Sequence, residues 1–300
     1  MWCILLLLAA ALGFAADSQR ATVIRDAGLY ASAGSTAQKL AQVPRGSDLT
    51  VLEKSNANNQ PWVKVSMAAD QAQVSREVTG WLPAQALITA ATPDGDQIIF
   101  GQAVDSERQA EERGGRKGAA RDAMRLYGQV AELFPSSPQA AEAMWRSADI
   151  RWQLAKGDLL RSGTPMQETY LQAVITRFPQ SKQAELAAYD LLEGKLCSEW
   201  RGLAECPQKE TALYEQYAKD HPQSPKAPEA LYNAAWRQAA LTDMYRIDGD
   251  PAKSDTARKK ATALAQQIGT QYPQSDFKLR ALDLIYKLEK KIPVYGPAIE

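Results

Sequence analysis

A four-residue motif recurs four times between residues 134 and 275, and its spacing constrains the fold more than any other feature. Each copy reads aromatic or His, Pro, any residue, Ser, and the anchors Phe134, Phe178, His221 and Tyr272 are 44, 43 and 51 residues apart. Internal repeats of this length are typical of stacked supersecondary units that share a continuous core. The repeat therefore predicts a helical array that binds a partner, rather than a single catalytic pocket.

The residues around each motif predict a helix junction. Apolar residues stand eight and four positions before each anchor, on one face of a helix. The Pro stops that helix, and the Ser two positions later is a natural N-cap for the next one. The predicted structural residues of the four junctions are Phe134, Pro135, Ser137, Phe178, Pro179, Ser181, His221, Pro222, Ser224, Tyr272, Pro273 and Ser275.

Two further features of the junctions repeat along the chain. An Ala stands nine positions after every anchor, and a small residue there lets two helices approach closely. Pro138 and Pro225 follow two of the Ser residues, at the position predicted to be N1 of the next helix. The four Ala residues are Ala143, Ala187, Ala230 and Ala281.

The pattern of aromatic, Pro, any residue, Ser and then Ala three positions on resembles tetratricopeptide-type repeats. It is most similar to those of periplasmic envelope proteins, including the outer-membrane lipoprotein that helps to assemble β-barrels. The period is longer than 34 residues and the Trp-x-x-Leu-Gly signature is absent. Lys278 and Asp283 replace apolar residues in the fourth copy, which indicates a terminal, capping repeat. The resemblance implies a solenoid of helical hairpins over residues 119–290, with a protein partner.

The segment before the repeats is rich in short strand patterns. β-Branched or aromatic runs occur at 22–24, 49–52, 62–65 and 78–82, separated by turn-forming residues. Trp62 begins an alternation of polar and apolar residues, as expected for a strand with two unlike faces. About seventy residues of such strands predict a small barrel or sandwich.

This segment resembles a bacterial SH3 domain. Gly46 precedes an apolar strand, Trp62 opens the run Trp-Val-Lys-Val, and Gly80 opens a closing Gly-Trp-Leu. Residues 29–35 occupy the place of a family segment that shapes the binding surface. The resemblance covers residues 17–90 and implies an SH3-like β-barrel that binds peptidoglycan or a peptide, or no ligand at all.

The aromatic residues of this segment have different expected roles. We expect Trp62 and Trp81 to pack in the core, where such folds place aromatic side chains. Tyr30 is the candidate for the ligand surface.

The N-terminus predicts export. Residues 2–16 are apolar throughout, and at ~1.5 Å per helical residue they are too short to cross a ~30 Å hydrocarbon core. The run suits a signal peptide over residues 1–16, and the alternative is a short tethering or buried helix. No Lys or Arg precedes it, which leaves open a start upstream of Met1. We expect an exported protein of the periplasm or cell envelope, without a transmembrane anchor after cleavage.

Cysteine usage agrees with export. Cys3 would leave with the signal peptide, and no lipid-attachment motif surrounds it. Cys197 and Cys206 remain, nine positions apart, and they form either a disulfide across a short loop or two buried thiols.

The remaining segments are predicted to connect or flank the strands and helices. Residues 91–118 read as a linker that begins with a turn at 92–96. Residues 98–100 within it form one more strand or apolar packing at a junction. Its charged part, 106–118, is predicted to be flexible because Gly114 and Gly115 lower helix propensity. A capping box at 164–167 predicts a helix start, and Asp250-Pro251 is expected to open another helix in the same way. Extra turn residues around 248–250 are expected to account for the 51-residue interval. Residues 291–300 are a C-terminal tail.

The chain offers little evidence for catalysis. His221 stands at an aromatic position of the repeat and is expected to pack or cap rather than to catalyse. No His/Cys cluster has metal-ligand spacing, and no glycine-rich phosphate loop occurs. We therefore predict no catalytic residue, no metal and no cofactor, although a pair of distant carboxylates stays open. Equal counts of 35 basic and 35 acidic residues argue against a nucleic-acid partner.

These observations predict a multidomain α+β protein, with a small SH3-like β-barrel followed by an all-α solenoid. The expected function is a non-catalytic scaffold or adaptor of the cell envelope. Two alternatives are a cell-wall enzyme with an unrecognised carboxylate site and an accessory subunit of an outer-membrane assembly or secretion complex.

Overall fold

The computed structural model describes residues 19–68, 77–162 and 168–296, with side chains omitted for 158–162. The predicted signal peptide 1–16 and the capping box 164–167 lie outside these ranges. By internal contacts the chain divides into two units, Met1–Ala143 and Met144–Glu300. Strands and helices are both abundant, so the mixed α+β class is confirmed.

The first unit contains an antiparallel sheet with the strand order β3-β2-β6-β5-β4-β1-β7. The four predicted strands are present as β1, β4, β5 and β6. The short strands β2, β3 and β7 were not predicted, because three to five residues give too brief an alternation to recognise. The seven strands in the described residues are β1 (Arg20–Val23), β2 (Ala27–Tyr30), β3 (Lys39–Val43), β4 (Asp48–Ala57), β5 (Gln60–Met67), β6 (Val78–Pro83) and β7 (Leu87–Thr89).

Alternation along the strands places the core on one face of the sheet. Val63, Val65 and Met67 of β5 are buried together with Leu29 of β2 and Leu82 of β6. Residues from β1 to β6 thus meet in one buried cluster on this face.

A helix occupies most of the segment that the sequence predicts to be a linker. Helix α1 (Gly95–Glu111) packs on α2 (Ala119–Leu133). Ile99 is fully buried, and Phe100 makes an edge-to-face contact with Tyr127 at 5.3 Å between ring centroids. The strand alternative for 98–100 and the flexible reading of 106–111 are therefore wrong. Packing against α2 supplies the stability that the local sequence lacks.

The turn between β3 and β4 lies directly on α2. Gly46 has φ +75°, and an added Cβ would lie 2.6 Å from Cβ of Arg125 and 2.7 Å from the backbone nitrogen of Leu126. Arg125 donates from Nε to the carbonyl oxygen of Arg45 at 3.0 Å. Buried Asp122 accepts from Arg116 and Arg125 and lies 3.7 Å from Nε of Arg45. Sheet and helices thus form one packed unit.

From α4 onwards, each described helix packs on the next one in sequence. Apolar residues of α5 to α9 form one buried cluster, and α3, α4 and α5 share a second one around Trp152 and Leu171. The described bounds are α3 (Ala140–Ser162), α4 (Thr169–Arg177), α5 (Lys182–Glu193), α6 (Glu205–Asp220), α7 (Ala227–Ile247), α8 (Pro251–Gln271) and α9 (Phe277–Lys290).

All four repeat motifs form the same turn. Helices α2, α4, α6 and α8 each end one residue before the anchor, as predicted. The Ser N–H then donates to the anchor's carbonyl oxygen at 2.9–3.0 Å in every copy. The Ala nine positions after each anchor is buried in every copy. A stop, a tight turn and a close helix approach thus recur at each junction.

The capping role of the Ser residues differs between copies. Ser181 is an N-cap and accepts from the N–H of Ala184 at 3.0 Å. Ser137, Ser224 and Ser275 instead accept from the N–H two positions later, at 3.2 Å. Their helices begin two or three residues downstream, so the predicted N-caps are wrong there. Pro138 and Pro225 precede the helices and are not at N1.

The longest repeat interval is explained by helix length rather than by extra turn residues. Helices α7 and α8 have 21 residues each, whereas α5 has 12 and α6 has 16. The turn between α7 and α8 is short, and Asp250 caps α8 by accepting from the N–H of Lys253 at 3.0 Å. This cap was predicted from the Asp-Pro pair.

A disulfide joins Cys197 and Cys206, with their Cα atoms 6.1 Å apart. The loop that it closes is anchored by Glu210, which is 1% exposed. Glu210 accepts from the N–H of Cys197 at 2.9 Å and from Nε1 of Trp200 at 3.3 Å, and its other oxygen pairs with Arg237 at 2.6 Å. One buried carboxylate therefore connects the loop to α6 and α7.

Residues after α9 fold back on the second unit. Asp243, which is largely buried, accepts from the N–H groups of Val294 and Tyr295 at 2.8 and 3.1 Å. The ring of Tyr295 lies 5.6 Å from that of Trp200. The first part of the predicted tail is thus a packed segment. Within the described ranges, no helix combines the length and apolar character needed to cross a bilayer.

Candidate functional site

A row of side chains crosses four strands on the face of the sheet opposite its core. The strand register pairs Tyr30 of β2 with Trp81 of β6, Trp81 with Lys64 of β5, and Lys64 with Glu53 of β4. Lys64 and Glu53 form an ion pair at 3.9 Å. Tyr30, Trp81 and Lys64 are partly exposed. The row therefore presents two aromatic rings and an exposed ion pair to solvent.

Trp62 lies beside this row and is only 2% exposed. Its ring meets that of Tyr30 edge to face, with centroids 5.7 Å apart. Trp62 is buried as predicted, but alternation places it opposite Val63 and outside the main cluster of the sheet. Trp81 is likewise outside that cluster and only partly buried, so its predicted core position is wrong.

Tyr30 is held in place by the backbone beneath it. A Cβ added to Gly28 would lie 2.9 Å from the Tyr30 ring, so the ring covers that glycine closely. Together with the contact to Trp62, this fixes the ring on the sheet face. A pre-positioned aromatic side chain binds a ligand with little loss of entropy.

A cavity of about 510 Å³ opens next to Trp62, at the end of the β4–β5 hairpin. Polar residues such as Lys54, Asn56 and Thr92 line it together with apolar Val51 and Leu87. Trp62 Nε1 is a buried donor that has no hydrogen-bond partner among the described residues. Cavities of this size hold a small ligand or a peptide side chain.

The second unit has a cluster of carboxylates between α3 and α5. Trp145 donates from Nε1 to Asp190 at 3.1 Å, and Trp152 donates in the same way to Glu193 at 3.1 Å. Burial raises the pKa of Asp190 to about 6. The hydrogen bond from Trp145 lowers this pKa, and the negative charges of Asp149 and Glu193 raise it further. The seven-residue spacing of the two tryptophans places them on one helix face, but the sequence gives no indication of their acidic partners.

Asp190→Asn is expected to stabilise the protein at neutral pH. In the unfolded chain this carboxyl has a pKa of about 3.9. Between pH 4 and 6 the folded protein therefore keeps a proton on Asp190 that the unfolded chain has lost. The free energy of unfolding falls as pH rises through 6, because Asp190 must then ionise in the folded protein. The variant should gain about 2 kcal/mol at pH 7.5 and little at pH 4. Urea unfolding at both pH values measures this, with Asp105→Asn at an exposed position of α1 as the control. A constant difference at both pH values would contradict the assignment.

His221 caps a helix and packs on a neighbouring ring. Its N–H donates to the carbonyl oxygen of Tyr217, and the two rings lie 4.8 Å apart. Over the ranges that the structure describes, no group of three His, Cys, Asp or Glu residues could hold a metal ion.

Helix α9 carries apolar residues on two faces. Ala281, Leu284 and Leu288 are buried, whereas Leu279, Leu282 and Tyr286 are each more than half exposed. The exposed three have the spacing i, i+3, i+7 and form one stripe. The stripe was not predicted from the sequence, because Lys278 and Asp283 beside it indicated a terminal, capping repeat.

The described residues define a two-unit protein of mixed α+β class. No protein-family model and no curated protein matches the chain. Among solved structures, it is similar to the DHF58 filament, at 18% identity over 65% of this chain and 91% of that chain, with a TM-score of 0.25. The DHF79 filament has 16% identity over 64% and 99%, with the same TM-score of 0.25. Similarity at this level carries no argument about function.

Proposed function

We propose that this protein is a non-catalytic adaptor of the cell envelope. Its strands over residues 17–90 act as an SH3-like barrel that binds cell wall or a peptide. Its helices over residues 119–290 act as a tetratricopeptide-type solenoid that binds a protein partner. The observation that carries the proposal is the row of Tyr30, Trp81 and Lys64 beside the cavity at Trp62.

The chemistry of this row supports a wall or peptide ligand. Aromatic rings pack on apolar and sugar C–H groups, and they have a polar or quadrupolar edge for further contacts. The contact of Lys64 with Glu53 is long, at 3.9 Å, and exposed, so the ammonium group can exchange it for a ligand carboxylate, such as those of acidic peptides. The nearby cavity has room for one ligand group.

The helices support the second half of the proposal. A protein built of stacked repeats is expected to contain several copies of the same turn, and this chain has four. Such proteins commonly bind partners over extended surfaces. The exposed stripe of Leu279, Leu282 and Tyr286 is apolar surface in keeping with such a partner.

Tyr30→Ala tests the wall ligand. We expect the full chain to sediment with purified peptidoglycan, and the variant to bind at least tenfold more weakly, because a buried aromatic contact contributes about 1.5–2 kcal/mol or more. Sedimentation over a range of peptidoglycan concentrations measures both affinities.

Leu52→Ala is the matched control, since Leu52 is an exposed apolar residue of the same sheet outside the row. Its affinity should equal that of the unmodified protein. The proposed binding to cell wall is wrong if the unmodified protein does not sediment with peptidoglycan. The assignment of the ligand site to the row is wrong if Tyr30→Ala and Leu52→Ala bind peptidoglycan with equal affinity.

The carboxylate cluster favours one alternative, a cell-wall enzyme. A carboxyl with a pKa of about 6 can donate a proton near neutral pH, as general acids do. This alternative requires the full chain to release soluble fragments from purified murein, and Asp190→Asn to abolish the release. We prefer the adaptor because Trp145 already occupies an oxygen of Asp190.

A further inference from the structure

A second cavity lies in the helical unit, away from the sheet and from the carboxylate cluster. Its volume is about 450 Å³, and it opens between the end of α7, the start of α8 and the residues that follow α9. Ala239, Leu288, Ile292 and Val294 give it an apolar wall. This volume is large enough for a small organic ligand.

Basic residues predominate among the charged groups of this cavity. Four cations line it against two carboxylates, Asp243 and Asp255. The cations are Arg246, Arg258, Lys287 and Lys291. The lining therefore has an excess of two positive charges next to an apolar wall.

Both carboxylates are already bound within the protein. Asp243 accepts from the N–H groups of Val294 and Tyr295, and Arg246 approaches it at 3.4 Å. Asp255 is paired with Arg258 and with Lys259, which does not line the cavity. Neither acid therefore neutralises the whole set of cations.

Of these four cations, Lys291 is the one for which the described residues supply no side-chain partner. Arg246, Arg258 and Lys287 each form an ion pair, whereas Lys291 has neither a hydrogen bond to its side chain nor an ion pair within the described ranges. Its ammonium group is thus available to a bound anion.

The backbone at Lys291 is unusual for this residue type. Lys291 has φ +55°, and the N–H of Ile292 donates to the carbonyl oxygen of Lys287 at 2.9 Å. This turn ends α9 in the way that normally selects glycine, because a side chain is strained there. A lysine at this position costs conformational energy and brings a cation to the cavity.

We propose that this cavity binds a carboxylate with an apolar body. The carboxylate meets Lys291 and the free donors of Arg246 or Arg258, and the body packs on Leu288, Ile292 and Val294. A free amphiphile and the C-terminus of a peptide present the same chemistry. This site is independent of the sheet ligand and of the partner on the helical array.

Binding of octanoate to the full chain tests the proposal, measured by calorimetry and by NMR shifts of Ile292 and Val294. A tripeptide of apolar residues with a free carboxyl end is the second probe. Octanol, acetate and the amidated tripeptide test the need for both charge and apolar body. We expect at least one of the two acids to bind, and all three comparison compounds to bind at least roughly tenfold more weakly.

Two variants separate binding from folding. Lys291→Gly removes the cation while giving the turn its favoured residue, so its melting temperature should equal or exceed that of the unmodified protein while affinity falls roughly tenfold. Lys291→Gln should lose affinity to the same extent, and the adjacent Lys290→Gln should retain it.

The outcomes identify the source of the carboxylate. Binding of octanoate alone indicates a free amphiphile, and binding of the tripeptide alone indicates a chain terminus. The proposal is overturned if neither acid binds, if octanol binds as well as octanoate, or if Lys291→Gly and Lys290→Gln bind alike.

Discussion

Glu210→Gln is expected to lower the free energy of unfolding by about 3–5 kcal/mol. Arg237 is 11% exposed at its side chain and forms an ion pair with Glu210. Its other contacts among the described residues are a backbone carbonyl oxygen and the rings of Tyr214 and Trp200, so Glu210 is its counter-charge there. The amide keeps an acceptor for Cys197 and Trp200 but leaves a buried guanidinium without its counter-charge. Hydrogen exchange of amides in α6 and α7 reports the loss.

Glu215→Gln is the matched control on the same helix. Glu215 pairs with Lys260 at 2.8 Å, but both side chains are substantially exposed, so the expected loss is below about 1 kcal/mol. Adding Arg237→Gln to Glu210→Gln should recover part of the stability by removing the stranded charge. A loss below 1 kcal/mol for Glu210→Gln would show that the ion pair contributes little.

Gly46→Ala is expected to destabilise the first unit by about 3 kcal/mol. A left-handed backbone costs a non-glycine residue about 1–2 kcal/mol. In addition, the new methyl group would lie 2.7 Å from the backbone nitrogen of Leu126, which cannot move without shifting α2. Chemical unfolding followed through the tryptophans of the sheet measures the loss.

Gly118→Ala separates the two causes. Gly118 belongs to the same unit and has φ +84°, but a Cβ there would meet no atom within 4 Å. It should lose only the backbone component, about 1–2 kcal/mol. Equal losses for the two variants would mean that α2 yields freely and that the contact is unimportant.

The helix junctions were the most predictable part of this fold. An anchor, a Pro and a Ser act within one turn of chain, so their effect depends on local sterics and hydrogen bonds. The strands β4, β5 and β6 were similarly clear, since each contains a run of β-branched or aromatic residues between turn-forming segments. The exact start of the following helix was not predicted at Ser137 and Ser224. A Pro follows each Ser, and the helix begins three residues after the Ser.

The candidate sites were less predictable. Tyr30 was identified from its place in the strand-rich segment, but its pairing with Trp81 and its contact with Trp62 depend on strand register. The raised pKa of Asp190 depends on burial between helices that are far apart in sequence. Helix α1 could have been recognised from Ile99, Ala103 and Ser106, which recur at helical spacing and are all buried.

By itself, the sequence determined where helices stop, which residues alternate in strands, and which small residues allow close packing, because these are short-range properties of the chain. Only the tertiary structure decided that α1 is a helix, that Gly46 lies against α2, and that Glu210 neutralises Arg237. It also gathered Lys291 and the other cations around one cavity. These features require groups distant in sequence to meet, and their energies come from burial and charge pairing that no local pattern encodes.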